Sequence, residues 1–143
     1  MTASDLAKMS GSEDLSTVLS EVYHALSAPR RCHVIQFLAK TDESSLPVRT
    51  LARETAAIEE DVPPKCATGE PYRNVYNALS QTHLSTLSDA GIIIYDSDRQ
   101  SVAPGPNLDI AALLIVLNQA TYQTLHGDSI PDLGDLDVSS MTD

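Results

Sequence analysis

A chain of 143 residues has room for one compact core with tails, and its 20 Asp and Glu against 9 Lys and Arg give a formal net charge of −11. That balance runs against a broadly basic surface for polyanions, and two cysteines, Cys32 and Cys66, are too few for a disulfide framework. The most apolar run, Ile110 to Leu117, falls far short of the roughly 20 residues a membrane span requires.

Residues 1–11 read as a flexible start. Leu15, Val18, Leu19, Val22, Tyr23 and Leu26 then recur at helical spacing, with Glu13 and Asp14 where a first turn favours carboxylates. Ser27-Ala28-Pro29 interrupts this helix, and Pro29 suits the first turn of a second one that carries Val34, Ile35 and Leu38 inward. A polar loop, Thr41 to Ser45, precedes a third helix marked by Val48, Leu51, Ala52, Thr55 and Ala56. Charges, Pro63-Pro64 and Gly69 make Glu59 to Pro71 a long loop. A fourth helix follows, with Tyr72, Tyr76, Leu79, His83, Leu87 and Ala90 on one stripe and Gly91 as its stop.

Ile92 to Tyr95 is a β-branched strand, Asp96 to Gln100 a turn, and Ser101 to Ala103 the returning strand. From about 107 to 126 a last helix is apolar nearly all the way round, so a partner has to cover it. The acidic stretch 127–143 has little to bury and reads as a disordered tail. The fold expected is therefore mainly α with a small β-hairpin, in one domain over 12–126.

The segment Gln81-Thr82-His83-Leu84-Ser85-Thr86-Leu87-Ser88-Asp89-Ala90-Gly91-Ile92-Ile93 resembles the end of the recognition helix and the start of the wing in ArsR and PadR type regulators. Leu26-Ser27-Ala28-Pro29-Arg30-Arg31 is similar to their "Leu-x-x-Pro-x-Arg" junction, and Val48-Arg49-Thr50-Leu51-Ala52 to the start of their supporting helix. The string Val75-Tyr76-Asn77-Ala78-Leu79-Ser80-Gln81-Thr82-His83-Leu84 looks like that of haloarchaeal winged-helix domains. The resemblance covers roughly Leu26 to Gln100. It implies a winged helix-turn-helix with an added C-terminal dimerisation helix, acting as a homodimer on double-stranded DNA in transcription regulation.

On that reading the buried stripe of the fourth helix leaves Arg73, Asn74, Asn77, Ser80 and Gln81 facing away from the core, and those side-chain types suit base edges in a major groove. Arg49 and Arg53 on the supporting helix and Arg99 at the hairpin tip are the phosphate contacts, with Arg30 and Arg31 farther off. Asp96 and Asp98 flank Arg99 and offer it a local ion pair instead. Leu113, Leu114 and Leu117 are expected at the dimer contact, assisted by Leu15, Val18 and Val22.

Asp exceeds Glu and Arg exceeds Lys, a composition that resembles proteins of salt-loving archaea. In molar salt the Debye length is only about 3 Å, so surface carboxylates hardly repel and hold cations that phosphates can share. The compartment expected is a reducing, high-salt cytoplasm, since the N-terminus lacks the basic-then-apolar profile of a secretory signal.

Cys32, Cys66, His24, His33, His83 and His126 match no metal-ligand spacing, so neither a metal nor a cofactor is expected. Cys32 reads as a small core residue, Cys66 as an exposed thiol, and His83 as a packed or hydrogen-bonded side chain. No nucleophile elbow, phosphate loop or metalloprotease helix is present, which argues against an enzyme. The alternative is a winged-helix module that has lost DNA binding and assembles with other proteins.

Overall fold

The computed structural model describes residues 12–126; the expectations for 1–11 and 127–143 lie outside the described residues. The elements are α1 (Ser12–Ala25), α2 (Pro29–Lys40), β1 (Leu46–Pro47), α3 (Val48–Glu60), a 3-10 turn (Pro64–Cys66), α4 (Gly69–Ala78), a π turn (Leu79–His83), α5 (Leu84–Asp89), β2 (Ile93–Asp96), β3 (Ser101–Pro104) and α6 (Leu108–His126). The chain divides into a unit ending at Ala112 and a second beginning at Leu113, within α6. No described helix is long and apolar enough to cross a membrane.

Within the first unit, every helix contributes to one core: Val22 and Ala25 from α1, Val34, Ile35 and Leu38 from α2, and Leu51, Ala52, Thr55 and Ala56 from α3 are all buried. α2 starts on Pro29 because its missing N–H costs nothing in a first turn, where no helical acceptor exists for it. α3 ends on Asp61, a left-handed residue at φ 55°, and Val62 donates back to the Ala57 carbonyl across it. The carboxylates of Glu59 and Glu60 sit at the negative end of that helix, which disfavours them. Arg30 offsets this by donating to both oxygens of Glu59, at 2.7 and 3.0 Å.

The three strands form an antiparallel sheet in the order β1-β3-β2. β1 has only two residues, with Leu46 opposite Val102 and Pro47 opposite Ser101. Proline fits this edge position because it has no N–H to donate to a ladder. The hairpin aligns Tyr95 with Val102 and Asp96 with Ser101, which turns Ile93 inward and leaves Ile94 exposed. At the hairpin base Gly91 takes φ 73°, and a side chain at Gly105 would run into the backbone of Gly91 and Ile92.

α4, the π turn and α5 run without interruption, and the π turn decides which face they bury. Leu84 donates its N–H to the Leu79 carbonyl, five residues back, so one extra residue is inserted into the helical repeat. The buried positions are therefore Val75, Leu79, Leu84 and Leu87, with a step of five in the middle. The stripe expected from regular spacing puts His83 in the place after Leu79. Leu84 takes it, wholly buried, and His83 stands half-buried beside it. Tyr72 and Tyr76 are likewise half-buried at the rim rather than in the core.

Candidate nucleic-acid interface

α3 and α4 pack against each other, and their exposed sides meet through side chains. The guanidinium carbon of Arg53 lies 5.9 Å from the centre of the Tyr72 ring, within the range of a cation–π contact. One turn later, Tyr76 follows Tyr72 at a ring-centre distance of 6.0 Å. The Tyr76 hydroxyl donates to Gln100 Oε1 at 2.8 Å, and Ser80 Oγ reaches the same oxygen at 3.4 Å. A continuous line of contacts thus joins α3, α4 and the hairpin turn.

Beside that line, Tyr72, Arg73, Tyr76 and Asn77 enclose an open cleft of about 230 Å³. Arg73, Asn77 and Gln81 are exposed at four-residue intervals. Arg49, also exposed, precedes Arg53 by one turn of α3, which places the two on one side of that helix.

Two of the residues expected at the interface stand apart from this group. Asn74 lines a different cleft, of about 260 Å³, with Arg30, Glu59, Glu60, Glu70 and Pro71, where carboxylates outnumber the single cation. Arg99 carries a side chain 85% exposed, but its Nε lies 3.8 Å from Asp96 Oδ2 and its backbone N–H donates to Asp96 Oδ1. The pair is long and exposed, so the Arg99 guanidinium stays open to another partner.

Arg31 is buried, being 7% exposed. Its Nε donates to the Ala25 carbonyl at 2.7 Å, its Nη2 to the His24 carbonyl and Ser27 Oγ, and its Nη1 lies 3.0 Å from His83 Nδ1. The charge is held by carbonyls at the negative end of α1 rather than by a carboxylate. Arginine only donates, so His83 Nδ1 has to accept and the ring is neutral. Burial, then the charges of Arg31 and Arg30, push the His83 pKa below its ordinary 6.5, with Glu59 acting in the opposite sense. His83 thus hydrogen-bonds, as the sequence reading has it.

Cys32 is half-buried, its thiol 3.3 Å from the Leu26 carbonyl and its pKa raised by burial against the opposing charge of Arg31. Cys66 is exposed on the 3-10 turn. Among the described residues no group of three or more His, Cys, Asp or Glu side chains is arranged to hold a metal.

The family described as a domain of unknown function (DUF7344) matches residues 23–103, more than half of the chain. The chain belongs to the DUF7344 family. No curated protein and no solved structure matches it. The DUF7344 span reaches from the second half of α1 to β3, so it contains the Arg31–His83 contact and the line from Arg53 to Gln100. The exposed leucines of α6 lie beyond it. Gln100 was not singled out by sequence reasoning; the only local signal for it is its place at the end of a polar turn.

Proposed function

We propose that this DUF7344 protein is a winged helix-turn-helix DNA-binding regulator, related to the ArsR and PadR type, that presents α4 and the π turn to the major groove of duplex DNA as a homodimer. The observation that supports this best is the contact line Arg53–Tyr72–Tyr76–Gln100, which seats α3, α4 and the hairpin as one surface with Arg73, Asn77 and Gln81 exposed beside it. On this reading Arg73 is suited to guanine, and Asn77 and Gln81 to adenine, while Arg49 and Arg53 take phosphates.

Asn74 faces an acidic cleft and stands outside the reading set, while Arg99, exposed and only weakly paired with Asp96, is a third phosphate contact. With few free cations, counterion release contributes little to affinity, which fits a protein working in high salt where base contacts and shape carry recognition. Cations shared between surface carboxylates and phosphates complete that picture.

The second copy is expected on α6. Between Asp109 and Asp128 there is no Asp, Glu, Lys or Arg, in a chain of net charge −11. Two such chains can meet along this stretch without burying a carboxylate, and Leu113, Val116 and Leu117 are each more than half exposed there. Leu114 is less exposed than these, and Val22, expected to assist, is wholly inside the core.

The test is a binding titration in molar KCl, on duplexes selected from random sequence and on scrambled controls, with circular dichroism to confirm folding. Asn77→Ala and Gln81→Ala should each weaken the selected duplex by about 1–3 kcal/mol and relax its sequence preference. Arg49→Ala should weaken all duplexes alike. Undiminished discrimination by the Asn77 and Gln81 variants would overturn the reading. It would favour the second one, a protein-assembly module, for which the acidic cleft at Asn74 and the two aspartates of the hairpin tip speak.

A further inference from the structure

Gln100 concentrates more connections than any turn residue needs to close a hairpin. Its backbone is left-handed, at φ 50°, an unusual state for a residue with a long side chain. In that state its carbonyl accepts the N–H of Val48, the first residue of α3, at 2.9 Å. The side-chain amide then works in two directions. Nε2 donates to the Ser97 carbonyl at 2.8 Å and to the Tyr95 hydroxyl at 3.1 Å, which holds the turn. Oε1 accepts from Tyr76 on α4 and from Ser80 in the π turn.

The division of labour follows from the amide itself, which carries donors on one end and an acceptor on the other. Swapping the two ends would leave Nε2 facing hydroxyls and Oε1 facing a carbonyl, so the Ser97 carbonyl fixes the orientation. The acceptor is then committed to the helix. A turn residue used only to close β2 on β3 has no reason to reach α3, α4 and the π turn as well.

We infer that Gln100 is a positioning residue that sets the hairpin against α4, and so sets where Arg73 and Asn77 stand relative to the hairpin on a duplex; this rests on the DNA-binding reading above. Its loss removes no candidate base contact. It releases the link through which the hairpin and the reading helix hold one spacing, and that spacing is what a preferred duplex matches and a scrambled one does not.

The experiment measures the ratio of affinities for selected and scrambled duplexes in molar KCl, together with the melting temperature, for the parent, Gln100→Gly, Tyr76→Phe and the double variant. Glycine tolerates the positive φ, so the backbone bond to Val48 is retained, and phenylalanine removes only a hydroxyl. One lost hydrogen-bonded link should lower the ratio about 3- to 10-fold in each single variant, with scrambled-duplex affinity held within about twofold. The double variant should be no worse than Gln100→Gly, because both changes break one link.

A ratio equal to the parent's in both single variants, whatever happens to the melting temperature, overturns the inference and leaves Gln100 as a hairpin stabiliser. Should Gln100→Gly fail to fold, Tyr76→Phe decides alone on the same criterion. A parent that binds neither duplex overturns the DNA-binding reading and this inference with it, an outcome separate from a parent that discriminates and variants that match it.

Discussion

At the scale of single residues, the most informative pair is Arg31 and His83, which stand 52 positions apart and meet at 3.0 Å. Each belongs to a short string that resembles known regulators, and neither string by itself says that the two touch. The contact ties the first turn of α2 to the end of the π turn, while Arg31 also donates to carbonyls at the end of α1, and it requires a neutral imidazole. Its pKa lies below 6.5 in the folded state, so the unfolded chain binds this proton more readily. The stability it contributes is present in full above about 6.5, and it is lost as pH falls through that value towards the lower folded one. Carboxylates titrate lower and shift stability too, which makes the comparison with a variant necessary. In urea unfolding at fixed molar KCl, the parent should lose more stability between pH 7.5 and pH 5.5 than His83→Gln, whose amide oxygen still accepts from Arg31. Equal losses in the two proteins would place the pH sensitivity elsewhere.

At the scale of elements, the π turn shows what periodicity alone reads well and where it slips. Residues 72–90 read as helical by their spacing, although the helices also take in Glu59, Glu60 and Gly69 to Pro71, which read as loop; a count in fours from Leu79 lands on His83, and only the extra residue brings Leu84 inward. That insertion is a property of the backbone, with no signature in residue types at this point. The same holds for β1: two residues are too few to show an alternation, and Leu46-Pro47 becomes a strand because β3 is there to pair with it. The hairpin was legible from Ile92 to Ala103, whereas which of its isoleucines face inward depends on register. Leu84→Ala should therefore cost about 2–5 kcal/mol, as for a wholly buried leucine, and Ile94→Ala within about 0.5 kcal/mol, as for an exposed side chain. Urea midpoints of the two variants check this. A cheap Leu84 would return His83 to the core stripe and remove the π turn from the account.

At the scale of the whole molecule, the distribution of charge is the strongest constraint on partners. Of the residues proposed for the interface, those whose chemistry is local could be picked out by type and spacing: Arg73, Asn77 and Gln81, and Arg99 with its flanking aspartates as the alternative to a phosphate contact. The residues that depend on distant neighbours, Gln100 above all, were not legible, because a turn position carries no record of the helix it will meet. For self-association the relevant quantity is where a surface of like charge relents. With a net charge of −11, most of the surface carries hydrated carboxylates that a contact would have to desolvate, and the run from Ile110 to Gly127 carries none. Leu113, Val116 and Leu117 recur there at spacings of three and four, exposed by 56%, 55% and 51%, and so form one apolar stripe. A second copy presents the same stripe, which meets itself across a two-fold axis. Sedimentation in molar KCl at micromolar concentration should give twice the chain mass, and Leu117→Asp should give the single chain, since pairing would then bury two facing carboxylates. Circular dichroism of the variant separates dissociation from unfolding, because Leu117 is already exposed in the single chain and its replacement leaves the core of the first unit untouched. A parent that sediments as a single chain would end the homodimer proposal, and a variant that stays dimeric would move the contact off this stripe.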